Sequence, residues 1–277
     1  MSKYFRLFQS LFNGIPELKG IDFAANYYKS KKNLVYEIKF NKKPLDYPKT
    51  LVLKKFPLNS EKMGREIKTL QILEQQKLNI PHLLYYDQED YFLILEKVEG
   101  LNVCDYINNS LMGYSQLGEL DNSVEKKIIS AVDLIAEWLA HLHKNNIIDD
   151  NGREMMVLNK GDTRLRDFIL DISNNKLYGV DFEESYVGHH LDDLAWICCS
   201  LLDTNPGIFE MDVPTHKISL VNQFLNKYYK INQNFSFSFE YFADILINNL
   251  NQVIERRHLD IGVLDKGSIL KKIIDNI

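Results

Sequence analysis

Apolar positions in the first hundred residues change period twice. Residues 21–29 (IDFAANYYK) and 34–40 (LVYEIKF) read as strands around the polar turn Ser30-Lys31-Lys32-Asn33, and 51–56 (LVLKKF) reads as a third beyond a turn over Asn41–Pro48. Across 61–78 the spacing becomes helical, with Ile67, Leu70 and Leu73 on one face and Asn79-Ile80-Pro81 as the stop. Two further apolar segments, His82–Asp87 and Tyr91–Val98, flank the turn Gln88-Glu89-Asp90. The pattern predicts a five-stranded antiparallel sheet with one helix inserted after the third strand. The start, MSKYFRLFQSLFNG, predicts a first amphipathic helix and has neither the apolar core nor the cleavage site of a secretion signal.

From Gly100 onward the period is mostly helical. Ile128, Val132, Ile135, Leu139 and Leu142 recur at helical steps over residues 123–144 and mark a core helix. Brief strands at 168–170 (FIL) and 177–180 (LYGV) follow, and then helices over Leu191–Leu202, His216–Ile231 and Phe239–His258. The 277 residues carry 33 Lys+Arg against 38 Asp+Glu, so a net charge of −5 provides no positive field for nucleic acid or an anionic membrane. Neither is expected as a partner. Cys198 and Cys199 lie inside the apolar run Leu194–Leu202 and read as small buried hydrophobes, while that run is too short to span a bilayer. A cytoplasmic location is the corresponding expectation.

Chemistry concentrates in one stretch. Lys160-Gly161-Asp162 is followed at five residues by Asp167 and at nineteen by Asp181-Phe182-Glu183, then by Gly188 and Asp193-Leu194-Ala195. This order resembles the aminoglycoside phosphotransferase and choline kinase group of the protein-kinase-like superfamily, whose HGDxxxxN loop precedes a metal-binding Asp-[Phe/Trp]-[Gly/Glu], a Gly and an Asp-Leu-Ala. The resemblance covers most of residues 20–202. It implies an α+β, bilobal protein-kinase-like fold: a small antiparallel β-sheet lobe with one inserted helix over 1–99, binding nucleotide, and a larger, mainly helical catalytic and substrate-binding lobe over 100–277.

The same resemblance assigns roles in sequence order. Asn33-x-x-Tyr36 corresponds to the end of the phosphate-covering hairpin and Lys54 to the phosphate lysine, with Val52 roofing the adenine on the same strand face. Leu51 and Leu53 then point into the core. Glu66 corresponds to the helix residue that holds the lysine, and the backbone groups of Glu96 and Val98 correspond to those facing the adenine.

Leu95 corresponds to the gatekeeper, at the end of the fifth strand. The implied reaction transfers the γ-phosphoryl group of ATP (or GTP) to a hydroxyl of a small acceptor, with Mg. Asp162 takes the hydroxyl proton, and Asp167 and Asp181 bind the metal, which favours carboxylate oxygens. The partners implied are a nucleotide and a small-molecule hydroxyl acceptor, recognised by variable segments near Tyr106–Glu125 and Val213–Ile277.

Three positions depart from the pattern: Lys160 replaces the loop His, Asp167 replaces the Asn, and the turn at 30–33 has no glycine. An Asp ligates Mg at least as well as an Asn, and Lys31 or Lys32 offers charge in place of close backbone approach. A pseudokinase serving as a nucleotide-binding or scaffolding module is the alternative. A protein kinase is disfavoured, because Asp-Leu-Ala rather than an APE-like end follows Gly188. Asp181, Glu183, Glu184, Asp192 and Asp193 read as a carboxylate cluster that a cation would relieve, and its rim suits a cationic amine. His141 and His143 read as packing residues, His189-His190 as part of a substrate loop, and Arg256-Arg257 as helix-end charges.

Overall fold

The computed structural model describes residues 3–28, 30, 32–58, 61–111, 120–150, 155–210 and 215–264. Lys31 lies outside them, as do residues 112–119, 213–214 and 265–277 of the segments assigned to acceptor recognition. The chain divides into two compact units, Met1–Glu74 with Ile80–Val98, and Gln75–Asn79 with Glu99–Ile277.

The first unit is a sheet covered on one face by a helix. Strands β1 (Phe23–Tyr28), β2 (Leu34–Phe40), β3 (Thr50–Lys55), β4 (Leu83–Asp87) and β5 (Phe92–Glu96) are arranged β1-β2-β3-β5-β4, every neighbouring pair antiparallel. Helix α1 (Lys3–Asn13) and the residues after it present Phe8, Leu11, Phe12 and Ile15 at helical spacing, all buried. They pack on the alternate residues Tyr36, Ile38 and Phe40 of β2 and Leu51 and Leu53 of β3. The Phe8 and Tyr36 rings are 4.6 Å apart, and Phe12 and Phe23 5.1 Å, both edge to face. Each buried aromatic contributes roughly 1.5–3 kcal/mol by leaving water.

Helix α2 (Glu61–Gln75) follows β3 and buries Met63, Glu66, Ile67, Leu70 and Leu73. It stops three residues short of the helix expected over 61–78. The reason lies in the backbone and side chains of Gln76–Asn79, which are bonded elsewhere: Asn79 O accepts from Trp138 Nε1 at 2.9 Å and from Gly179 N at 3.2 Å, and the Gln76 and Asn146 amides exchange two hydrogen bonds.

The second unit is built on helices α3 (Val103–Leu111), α4 (Asn122–Asn145), α5 (Leu191–Leu202), α6 (Thr215–Ile231) and α7 (Phe239–Arg257). Asp121 caps α4 by accepting from Ser123 N at 2.7 Å. Cys198 and Cys199 are buried in α5, in keeping with their reading as small hydrophobes. Two short sheets complete the unit: β6 (Leu101–Asn102), β9 (Phe168–Asp171) and β10 (Lys176–Gly179) in one, and β7 (Ile147–Asp150), β8 (Met155–Asn159) and β11 (Tyr186–His189) in the other. The second of these has no counterpart in the sequence reading. Its strands, IIDD, MMVLN and YVGH, show no alternation of apolar and polar residues. No described helix is long and apolar enough to cross a membrane.

Candidate active site

In the first unit, strand pairing aligns Glu37, Val52 and Leu95, and beside them Val35, Lys54 and Leu93, on the sheet face opposite α1. Lys54 Nζ lies 2.7 Å from Glu66 Oε2, with both side chains buried, and 5.0 Å from the Phe56 ring centroid. Lys55, on the opposite face, donates to Asp90 O at 2.5 Å. Leu95 is buried, Val98 is half-buried, and Glu96 N donates to His82 O at 2.9 Å. The turn between β1 and β2 manages without glycine: Ser30 Oγ accepts from Lys32 N at 3.4 Å and from Asn33 N at 3.3 Å, and Asn33 is buried.

In the second unit the loop after β8 carries Lys160, Asp162 and Asp167. Gly161 there has φ +72°, and a side-chain carbon on it would collide with the Glu184 carbonyl, so only glycine fits. Asp162 has φ +46° and Asp181 φ +66°, a left-handed region that aspartate tolerates better than most residues and that is common in functional loops. Asp162 Oδ2 accepts from Arg164 Nη2 at 3.0 Å.

The β9–β10 hairpin brings the other two carboxylates together. Asp167 immediately precedes β9, Val180-Asp181 follows β10, and Val180 N donates to Asp167 O at 2.9 Å. The Asp167 carboxylate accepts from Arg164 N at 3.2 Å and lies 3.7 Å from Lys160 Nζ and 3.6 Å from Arg164 Nε. All of these contacts fall on Oδ2. Burial pushes the Asp167 carboxyl above the ordinary carboxylate range, against the pull of Lys160 and Arg164, and Asp181 pushes it the same way as burial. Two hard oxygen donors whose mutual repulsion a cation would relieve, one with Oδ1 receiving no hydrogen bond from the described residues, fit Mg.

Asp193 organises the loop. It accepts from Lys160 N at 2.7 Å, Gly161 N at 3.0 Å and Thr163 Oγ1, and it contacts His143 Nε2 at 3.2 Å. The other His143 nitrogen meets Tyr228 Oη at 2.7 Å. Burial alone would push the Asp193 carboxyl up, but the bonds from His143, Thr163 and Lys160 N outweigh it and hold the carboxyl below its usual range.

These contacts divide the carboxylate cluster. Asp193 is committed to the loop and Asp192 accepts from Tyr186 Oη at 2.8 Å and Tyr241 Oη at 2.7 Å, while Glu183 is buried rather than on a rim and keeps a carboxylate oxygen within 4.8 Å of one of Asp181. His143 is a hydrogen-bonding residue as well as a packed one, and His141, two residues earlier on α4, is exposed. His189 and His190 are both buried, stacked 4.6 Å apart. Arg256 and Arg257, at the end of α7, pair with Asp203 at 3.4 and 2.9 Å. Arg164 is the contributor that sequence reasoning passed over; its signal was a basic residue two positions after Asp162.

The sheet order with a helix after β3, joined in the chain to a loop, hairpin and helix carrying these carboxylates, defines a protein-kinase-like fold. It is the fold of the aminoglycoside phosphotransferases and choline kinases. The chain is similar over 98% of its length to 93% of a Ralstonia eutropha protein assigned to the aminoglycoside phosphotransferases, at TM-score 0.63 and 14% identity. It is similar over 99% of its length to 98% of the choline kinase LicA from Streptococcus pneumoniae, at TM-score 0.60 and 14% identity. Over its full length it matches 96% of APH(2")-IIa in a ternary complex with streptomycin and ATP, at TM-score 0.57 and 15% identity. Among curated sequences, 144 residues, half of this chain, are 27% identical to 68% of the EKC/KEOPS complex subunit BUD32 of Enterocytozoon bieneusi. No family model matches the chain.

Proposed function

We propose that the protein is a phosphotransferase that moves the γ-phosphoryl group of ATP (or GTP) to a hydroxyl of a small molecule, with Mg. The observation that carries this reading is the set of three carboxylates in the second unit: Asp162 on a left-handed loop beside Arg164, and Asp167 and Asp181 at the two ends of one hairpin. The acceptor oxygen attacks the γ-phosphorus, the bond to the β-phosphate oxygen breaks, and the hydroxyl proton passes to the Asp162 carboxylate. Arg164 holds that carboxylate in place and brings positive charge beside it. Asp167 and Asp181 would hold Mg, which would neutralise phosphate charge there. From the first unit, Lys54, steadied by Glu66, holds nucleotide phosphates, while Val52, Asn33 and the backbone of Glu96 and Val98 line the nucleotide. The similar structures, one of them holding ATP and streptomycin, support the same reaction class.

Calorimetry with Mg-ATP tests the reading. The wild type binds, and Asp181→Asn, which keeps a residue tolerant of φ +66°, binds far more weakly in the presence of Mg. No heat of binding from the wild type contradicts the proposal. A second reading, a nucleotide-binding module without turnover, draws on the pairing of Asp167 with Lys160 and Arg164. Its mark is Mg-ATP binding with no ADP released for any acceptor.

A further inference from the structure

Lys160 and Asp167 occupy two of the positions at which the chain departs from the loop pattern, one gaining positive charge and the other negative. In the structure these two departures meet. Lys160 Nζ is 3.7 Å from Asp167 Oδ2, with side chains 1% and 12% exposed. The same ammonium donates to Asp181 O at 2.9 Å, and otherwise sits near the Phe168 and Phe182 rings, 6.0 and 5.6 Å from their centroids. A cation this far from water is costly unless an anion lies beside it. Arg164 is the second cation at Asp167, with Nε 3.6 Å away, but it is 36% exposed and its Nη2 is bonded to Asp162, so solvent weakens its hold.

We propose that Lys160 is the counter-ion and positioning residue of Asp167. It offsets the negative charge that stands where the pattern has a neutral amide, keeping the net charge of the pair at zero, and it engages Oδ2 while Oδ1 is left for a ligand. At the same time its bond to Asp181 O ties the loop to the second carboxylate. The metal-facing part of this proposal rests on the phosphotransferase reading; the pairing itself does not.

The test compares the wild type with Lys160→His, Asp167→Asn and the double variant Lys160→His/Asp167→Asn, at mildly alkaline pH where the new histidine is neutral. The first readout is Tm in EDTA without nucleotide. Each single variant is expected to lose roughly 5–10 °C, because it strands one buried charge, and the double variant to recover most of that loss. Additive losses, or a double variant that fails to fold, overturn the pairing; single variants that fail to fold beside a folded double variant support it. The second readout is the Mg concentration that half-saturates ATP binding. Lys160→His lowers it several-fold by leaving only the part-exposed Arg164 beside Asp167, and adding Asp167→Asn reverses the change, whereas a midpoint that does not move, or that rises, overturns this role of Lys160. If the wild type binds no Mg-ATP, the functional reading fails, and the EDTA comparison alone decides the pairing.

Discussion

Asp193 shows how a single carboxylate sets the geometry of the candidate site without facing it. Its oxygens take bonds from two loop amides, a loop hydroxyl and a helix histidine, so replacing it removes several partners at once. Asp193→Asn is expected to cost about 3 kcal/mol near neutral pH and to lower turnover while Mg-ATP binding persists. The native carboxyl titrates below its ordinary 3.8, so its stabilisation is complete above that value and disappears as pH falls through the native one. Denaturant unfolding should therefore show the gap between variant and wild type closing below about pH 4; a constant gap contradicts the account. The sequence placed Asp193 beside four other carboxylates, but what it bonds to lies 30 and 50 residues away, at Thr163 and His143. Proximity along the chain concealed that division of labour. The Lys54–Glu66 pair is what the family resemblance implies, and strand parity adds only that Lys54 shares the face of Val52, away from Leu51 and Leu53.

Among the elements, apolar segments bounded by polar turns were legible, down to the four-residue strands β9 and β10, and segments without that contrast were not. The strands of the first unit and helices α4 to α7 emerge from periodicity within one or two residues, since each repeats its pattern several times. The end of α2 was not legible, because bonds to Trp138, Asn146 and Gly179 decide it. The sheet of β7, β8 and β11 was missed as well, though β8 delivers the loop and β11 closes over it. Gly161 lies where these elements crowd: its φ of +72° and the Glu184 carbonyl both exclude a side chain. Gly161→Ala should therefore lose at least about 2 kcal/mol and most of its turnover. Tm and ADP release check this; a variant matching the wild type in both would mean that β11 does not constrain the loop.

At the scale of the whole molecule, acid sensitivity follows from histidines buried without charge. Burial lowers the His190 pKa to about 3 and that of His216 to about 4, from an ordinary 6.5. The unfolded chain takes up these protons first, so each histidine subtracts up to about 1.4 kcal/mol of stability per pH unit as pH falls from 6.5 toward its native value. Tm measured against pH should fall over that range, and His190→Gln should flatten the slope; a slope unchanged by the substitution contradicts the assignment. A magnesium nucleotide is motivated by local charge within each unit, by Lys54 paired with Glu66 in the first and by three carboxylates in the second, rather than by the net charge of −5. The most direct measurement of the central claim is ADP release from Mg-ATP across a panel of hydroxyl-bearing metabolites, choline-like compounds, sugars and amino sugars among them. The account predicts release that depends on one acceptor class and falls by about 10²–10⁴-fold in Asp162→Asn, with ATP binding retained. ATP bound but never turned over with any acceptor, or turnover indifferent to Asp162→Asn, would contradict it.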